Sequence, residues 1–332
     1  MKFGPVPLAE AAGAILAHSA FAGGRRIAKG SLLAREDLEA LAAAGLAQVT
    51  VARLEPGDVG EAEAARRLGA ALVPDPRAAG LSVSEPVNGR VNIHATGPGL
   101  LDVDAARVLA LNACDPAITL ATLAPLTRVG PGVLVATAKI ITYAVPGAAL
   151  DRACALAGGA LRLRPVVLET AGLILTDAPG QTARLGAKGR AAVEKRLRAL
   201  GMRLAAVREV PHDASAIAGA LSGLAGDILL ILTGAATSDP ADDAPAAVRM
   251  AGGRIERFGM PVDPGNLLFL GRYGDRPVIG LPGCARSPAL NGADWVLERL
   301  ACGLAVTGAD IAAMGVGGLL KEIKTRPHPR EG

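Results

Sequence analysis

The stretch Asp227-Ile-Leu-Leu-Ile-Leu-Thr-Gly-Ala-Ala-Thr-Ser-Asp-Pro-Ala-Asp-Asp243 joins an apolar run to a loop of small residues and then to the beginning of a helix-forming segment. The apolar run is typical of a strand that is buried on both faces. In an open α/β sheet, ligands bind at the carboxyl ends of the strands. Because a loop there can present backbone N–H groups and a helix N-terminus, this stretch predicts a site for an anion, usually a phosphate.

A second strand-loop-helix unit follows at Pro277-Val-Ile-Gly-Leu-Pro-Gly-Cys-Ala-Arg-Ser-Pro-Ala-Leu-Asn291. Its loop is again built from small residues, and Gly283 lets the backbone approach a ligand closely, as Gly234 does in the first loop. Two such loops in one domain indicate a single phosphate-bearing ligand held between them.

The second half of the chain alternates between strand and helix patterns. This alternation predicts an α/β fold class, in which a three-layer α/β/α domain with a mostly parallel sheet is preceded by a smaller α+β region. We expect four parts, which are an N-terminal segment at 1–73, a middle α+β region at 74–163, the binding domain at 164–318 and a tail at 319–332. Prolines and a glycine at 73–80 mark the first boundary. The last helix is expected at 287–303.

Composition excludes several classes of protein. Apolar residues make up 51% of the 332 residues and aromatic residues only 2%, so the core must be aliphatic, and single-stranded nucleic acid would find no stacking platform. The four cysteines are widely spaced and the four histidines do not cluster with them, so we expect no protein-ligated metal site. No apolar run is long enough to span a bilayer and the N-terminus lacks a signal-peptide core, which predicts a cytoplasmic protein without a membrane partner.

Three motifs in the second half occur in the order found in the molybdopterin-binding domain of molybdenum insertases and molybdopterin adenylyltransferases. The first is Leu232-Thr-Gly234 and its loop as far as Asp242, and the second is Met260-Pro-Val-Asp-Pro-Gly-Asn266, which resembles the Lys-Pro-Gly-Lys turn of the insertases. The third, Gly280-Leu-Pro-Gly-Cys-Ala-Arg-Ser287, is similar to their Gly-Leu-Pro-Gly-Asn-Pro-x-Ser element. The resemblance covers about residues 5–55 and 165–315, and the middle region matches no family that we can name.

The resemblance implies molybdopterin as the ligand, with Mg²⁺ and molybdate as further participants if the protein is catalytic. Hydroxyls and backbone N–H groups would hold the phosphate, and carboxylates would face the pterin ring. Asp242 is the predicted catalytic residue, and capping of the following helix is the alternative role for all three carboxylates of this loop. The predicted cofactor-binding residues are Thr176, Asp177, Thr233, Gly234, Ala235, Thr237, Ser238, Asp239, Asp243, Pro282, Gly283, Arg286 and Ser287.

Some of these residues have simpler interpretations. Arg286 is either a phosphate ligand or an exposed loop arginine, and Asp177 is either a ligand or a turn residue. Cys284 is expected to be a small packed residue. His212 is expected to be structural or solvent-facing.

Departures from the family pattern point to weakened catalysis. Ala235 and Ala236 stand where the family has glycines, and alanine would be strained if either position needed a positive φ. Asp263 and Asn266 replace both lysines of the insertase turn, and Ala187 replaces an acidic residue of the adenylyltransferases that could help to hold Mg²⁺. Binding is therefore expected to be retained while catalysis is reduced or lost.

Three functions follow from these residues. The first is a molybdopterin-binding protein in molybdenum cofactor biosynthesis that hands the pterin, or its nucleotide form, to a partner such as a molybdenum cofactor nucleotidyltransferase. The second is a working molybdenum insertase, which is a molybdopterin molybdenumtransferase. The third is a generic α/β protein that binds a nucleotide or a sugar phosphate. The resemblance also implies a homo-oligomer.

Overall fold

The computed structural model describes residues 1–177, 183–263 and 265–320. The chain divides into two compact units. The first comprises Met1–Gly97 and Leu101–Leu163, and the second comprises Pro98–Leu100 and the chain from Arg164 onwards. Of the tail predicted at 319–332, residues 321–332 lie outside the described part. Within the described part, no helix is both long and apolar enough to cross a membrane.

The first fifty residues form a small α+β element with its own core. Strand β5 is central in a three-stranded antiparallel sheet of order β1-β5-β2, and β3 and β4 form a hairpin. Leu16, Leu41 and Val51 lie in the core of this element. The elements are β1 (Lys2–Pro7), a 3-10 helix (Leu8–Glu10), β2 (Ile15–Leu16), β3 (Ala20–Ala22), β4 (Arg25–Ile27), α1 (Arg35–Ala43) and β5 (Gln48–Arg53).

The rest of the first unit contains a four-stranded antiparallel sheet of order β10-β12-β8-β7 and a two-stranded pair of β6 with β13. The elements are β6 (Asp58–Gly60), α2 (Glu61–Leu72), α3 (Pro76–Ala79), β7 (Leu81–Val83), β8 (Arg90–Ala95), β9 (Gly99–Val103), α4 (Ala105–Cys114), β10 (Ile118–Thr122), β11 (Arg128–Val129), β12 (Leu134–Ile140), β13 (Ala144–Pro146), α5 (Gly147–Ala157) and β14 (Leu161–Pro165).

Helix α2 packs with the middle region, although it precedes the boundary expected at residue 73. Leu68 and Leu72 lie in the same core as Ile93 and Ile140 of the four-stranded sheet. The proline-rich stretch after α2 contains the short helix α3, which Asp75 caps by accepting a hydrogen bond from the backbone N–H of Ala78. The predicted parts 1–73 and 74–163 thus lie together in the first unit, apart from Pro98–Leu100.

The second unit is an α/β domain built on a six-stranded sheet of order β16-β15-β17-β20-β19-β18. The first four strands in this order are parallel, and β19 and β18 are antiparallel additions at one edge. The elements are β15 (Thr170–Asp177), α6 (Ala183–Ala199), β16 (Arg203–Pro211), α7 (Ala214–Ser222), β17 (Ile228–Leu232), α8 (Asp243–Met250), β18 (Arg254–Met260), β19 (Asn266–Tyr273), β20 (Arg276–Leu281), a 3-10 helix (Gly283–Arg286), α9 (Gly292–Ala301) and α10 (Gly308–Ala313).

Successive side chains of a strand point to opposite faces of the sheet, and the apolar side chains on each face form a hydrophobic core. Leu230 of β17 packs in the core that contains Leu197 of α6 and Leu297 of α9. Its neighbour Ile231 packs on the opposite face, with Leu221 of α7 and other residues. This arrangement confirms the predicted α/β class and mostly parallel sheet, with helices on both sides of the strands.

The helix predicted at 287–303 begins five residues later than expected. Pro288 disfavours a helical conformation for Ser287. Asn291 then caps α9 in a capping box with Asp294, so that regular helix begins only at Gly292. The predicted start at Ser287 was therefore wrong, and this segment remains available as loop beside the end of β20.

Candidate functional site

The loops that follow β15, β17 and β20 leave the sheet at one edge. The three strands are parallel neighbours, and Leu232 pairs with Leu175 on one side and with Leu281 on the other. The chain therefore leaves all three strands at the same level. Gly234 and Gly283, the two glycines predicted to approach one ligand, follow within two residues of these strand ends.

Arg286 connects the two predicted binding loops. Its Nη2 group donates a hydrogen bond to the backbone carbonyl oxygen of Thr233. Arg286 is only partly exposed, and burial lowers the pKa of its guanidinium from the usual value. Arg286 is thus a half-buried link between the loops, with further N–H groups on its guanidinium.

The first loop is fixed by its own threonines. Thr176 Oγ1 accepts a hydrogen bond from the backbone N–H of Gly234 at 2.8 Å, and Thr233 Oγ1 donates to the carbonyl oxygen of Ala235 at 2.7 Å. Thr237 is buried, with its hydroxyl 3.4 Å from that of Thr233. Of the hydroxyls predicted in this loop, only Ser238 is exposed to solvent.

The alanines that replace family glycines do not strain this loop. Positive φ angles among non-glycine residues occur at Asn88, Leu126 and Asp263 in the described chain. Ala235 and Ala236 therefore occupy ordinary backbone regions, which alanine adopts without steric cost. The absence of those glycines does not by itself damage the loop.

Two of the predicted ring-facing carboxylates accept hydrogen bonds from backbone N–H groups of their own segment. Asp242 is the N-cap of α8, and its Oδ1 and Oδ2 accept hydrogen bonds from the backbone N–H groups of Asp243 and Ser238 at 2.8 and 2.9 Å. Asp239 Oδ1 accepts from the backbone N–H of Ala241 at 2.7 Å. Capping of α8, the alternative considered from the sequence, therefore describes Asp242, whereas Asp239 closes a turn before the helix. Each carboxylate keeps lone pairs for a further ligand.

His212 joins this edge, which the sequence analysis missed. Its Nδ1 lies 2.9 Å from Thr176 Oγ1, and its Nε2 lies 3.8 Å from Asp243 Oδ2. The side chain is only 11% exposed, so of the two expected roles, structural or solvent-facing, the structure favours the structural one. The sequence did contain a signal, because His212 directly follows strand β16 in the same way that the predicted residues follow β15 and β17.

Asp177 ends β15 at the same edge of the sheet and is exposed. Its backbone carbonyl oxygen accepts a hydrogen bond from the backbone N–H of His212 at 3.0 Å. The backbone of Asp177 thus anchors the loop that carries His212, while its carboxylate faces solvent.

Arg196 of α6 fixes the loop after β20 by hydrogen bonds to its backbone carbonyl groups. Arg196 Nη1 donates to the carbonyl oxygen of Ala285 at 2.7 Å, Nη2 donates to that of Ser287 at 2.8 Å, and Nε donates to Asp294 at 2.5 Å. Pro282 is buried at the end of the strand, and Gly283 is exposed. Cys284 is exposed as well, with its Sγ accepting a hydrogen bond from Asn291, so the expectation of a packed cysteine was wrong.

The residues that replace the insertase lysines have structural partners. Asp263 adopts a positive φ of 45°, its backbone N–H donates to the carbonyl oxygen of Gly318, and its Oδ1 accepts from the backbone N–H of Leu320. Asn266 is buried, and its side-chain amide lies 3.4 Å from Asn291 Oδ1. Pro264, the middle of this motif, lies outside the described residues. Neither replacement restores the lost positive charge.

A separate cleft of about 720 Å³ lies within the first unit. Leu32, Leu54 and Tyr143 line it together with small residues, and none of the residues predicted from the sequence contributes to it. Its carboxylates already have cationic partners, since Glu61 lies 3.6 Å from Lys139 and Glu63 pairs with Arg66. The cleft is therefore distinct from the edge of the six-stranded sheet, where the predicted residues lie.

Comparisons with known proteins add little to this geometry. A family described as a domain of unknown function (DUF8806) matches residues 5–53, and no curated protein matches. Among solved structures, the chain is similar to the crystal structure of a molybdopterin biosynthesis MoeA protein from Pyrococcus horikosii. The identity is 15%, the match covers 91% of this chain and 76% of that chain, and the TM-score is 0.32. At this TM-score the likeness establishes no function, so any functional proposal must rest on the site itself.

Proposed function

We propose that this protein binds molybdopterin and acts in molybdenum cofactor biosynthesis as a binding protein with reduced or no catalysis of its own. The observation that carries the proposal is the adjacency of the loops after β17 and β20, which Arg286 links through Thr233. A phosphate between the loops would meet backbone N–H groups, the exposed hydroxyl of Ser238 and the guanidinium of Arg286. This set of donors suits a phosphorylated ligand better than a neutral one.

Two observations support reduced catalysis. Three carboxylates already accept backbone hydrogen bonds, and the lysines of the insertase turn are replaced. Asp239 and Asp242 cap backbone N–H groups, and Asp263 holds the segment near Leu320. The two positions that carry lysines in the resembling insertases offer no cation for molybdate here. A protein with these features would hold the pterin and pass it to a partner, for which a molybdenum cofactor nucleotidyltransferase is the proposed class. Assembly as a homo-oligomer remains part of the proposal.

The direct test is to purify the protein from a host that makes the cofactor and to oxidise the bound material with acidic iodine. We expect a fluorescent oxidised pterin that copurifies with the chain. Arg286→Ala should lower the pterin content at least tenfold, because a half-buried charge-assisted contact contributes about 1.5–3 kcal/mol. Arg272→Ala is the matched control, since Arg272 donates to Asp275 in the hairpin of β19 and β20 and should leave the content unchanged.

The results also separate the alternative functions. A wild-type protein without pterin would contradict the proposal and favour the generic nucleotide or sugar-phosphate binder. If the protein released active cofactor from adenylylated molybdopterin and molybdate, the insertase would replace the binding protein as the function. Retention of pterin without such release is the expected outcome.

A further inference from the structure

Three potential metal ligands from two different loops converge beside Thr176. His212 lies between β16 and α7, whereas Asp242 and Asp243 begin α8. One ligand atom from each residue lies within 4.8 Å of the others. Among the described residues, this is the one group of at least three potential metal ligands that lie so close together. The set differs from a purely acidic cluster because it contains a largely buried imidazole.

The surroundings of His212 direct one ring nitrogen toward the two carboxylates. Thr176 Oγ1 lies 2.9 Å from Nδ1 and also accepts the backbone N–H of Gly234. A hydroxyl oxygen has two lone pairs, so it can accept from both groups when the proton of the ring is on Nδ1. In that tautomer the lone pair of Nε2 points toward Asp243, 3.8 Å away. A hydrogen bond of this kind behind a histidine is the usual way in which proteins orient a metal ligand.

The two carboxylates can take part without loss of their present bonds. Each oxygen of Asp242 accepts one backbone N–H and keeps a second lone-pair direction. The side chain of Asp243 is 43% exposed and can rotate toward an ion. Zinc lies about 2.0–2.2 Å from nitrogen and carboxylate ligands, so the ligand atoms need to approach one another only modestly.

We propose that His212, Asp242 and Asp243 bind a divalent transition-metal ion of the zinc class, in place of the Mg²⁺ that the family resemblance implies. Mg²⁺ prefers oxygen ligands in a nearly ideal octahedron and keeps several waters. Imidazole is a ligand for zinc, copper, iron and nickel. With three protein ligands, a tetrahedral ion would keep one position open for water or a ligand.

The helix N-terminus opposes a cation at this place, because the dipole of α8 is positive at its first turn. That repulsion is weak compared with direct bonds from an imidazole and two carboxylates. Two adjacent carboxylates also repel each other, and a bound cation would relieve this repulsion. The electrostatic balance therefore favours occupation by a divalent ion.

The test uses the full chain after treatment with a chelator, with the metal ions alone as probes. We expect Co²⁺ to give visible d–d absorption with an imidazole contribution, Zn²⁺ to abolish that absorption by competition, and Mg²⁺ to leave it unchanged at much higher concentration. His212→Ala and Asp243→Asn should each weaken the Co²⁺ affinity by at least tenfold. Asp243 is partly exposed, so its variant keeps the test valid if His212→Ala fails to fold.

His18→Ala serves as the control, because His18 is exposed in the first unit and lies outside the group. Equal affinity for Mg²⁺ and Zn²⁺, or unchanged Co²⁺ binding in both site variants, would overturn the proposal. Because the measurement needs no pterin, absence of metal binding leaves the proposed molybdopterin function intact, and absence of pterin leaves the metal site intact.

Discussion

At the scale of single residues, the aromatic ring of Phe269 lies so close to the backbone of Gly280 that only glycine fits at this position in a buried strand. Gly280 of β20 pairs directly with Phe269 of β19, and a Cβ atom at Gly280 would overlap the aromatic ring. Gly280→Ala should lower the free energy of unfolding by about 1–3 kcal/mol, because overpacking forces the core to shift. Urea unfolding followed by the fluorescence of Trp295, the only tryptophan, measures this unit directly.

Gly219→Ala is the matched control for that substitution. Gly219 is exposed in helix α7, where an added Cβ would meet open space. Alanine is the better helix former, so this variant should raise the free energy of unfolding by about 0.5–1 kcal/mol. Equal effects of the two variants would show that the contact with Phe269 does not determine the glycine at position 280.

Single residues also show which parts of the site could be predicted. Thr176 lies near the end of β15, and Thr233 and Gly283 follow β17 and β20. Their shared position at one edge follows from the parallel order of those strands. His212 could be placed there only with the knowledge that β16 pairs with β15, which local patterns do not encode. Capping by Asp242 was only an alternative to the predicted catalytic role, and the positions of the backbone N–H groups are what identify it.

At the scale of secondary-structure elements, α6 determines the shape of the loop after β20. Arg196 and Asp294 are each only 10% exposed, and Arg196 also binds carbonyl oxygens of that loop. Arg196→Ala leaves a buried carboxylate without its cation and should cost about 3–5 kcal/mol in unfolding free energy. Arg190→Ala on the same helix removes an exposed pair with Glu194 and should cost less than about 0.5 kcal/mol. Similar losses for both variants in urea unfolding would contradict this role of Arg196.

The strands and helices themselves were largely accessible from the sequence. The alternation of strands and helices in the second half was predicted, because turn residues and apolar periodicity agree locally there. The start of α9 was wrong because a proline and a side-chain cap override an otherwise helical composition. Helix α2 packs into the core of the middle region through contacts between residues that are far apart in the sequence. The composition of residues 73–80 contains no information about such contacts.

At the scale of the whole molecule, each unit contains its own hydrophobic cores, and the reactivity of two cysteines tests the packing of the second unit. Cys302 is buried in the second unit, whereas Cys284 of the same unit is exposed. Thiol alkylation requires access and a thiolate. Alkylation should therefore modify Cys284 in the native protein. Cys302 should react only as urea unfolds the second unit, over the same range of urea concentration in which the fluorescence of Trp295 changes. Rapid native labelling of Cys302, detected by mass spectrometry of peptides, would contradict this packing.

The same buried thiol makes the stability of the second unit sensitive to alkaline pH. Burial raises the pKa of Cys302 from 9.0 to about 11, so between these values the folded chain holds a proton that the unfolded chain releases. Stability from this group is complete below pH 9 and is lost as pH rises through 11, by up to about 2.7 kcal/mol. Cys302→Ala should remove this part of the alkaline decline in Trp295-monitored unfolding, whereas Cys284→Ala should retain it. An unchanged decline in Cys302→Ala would mean that other groups carry the alkaline sensitivity.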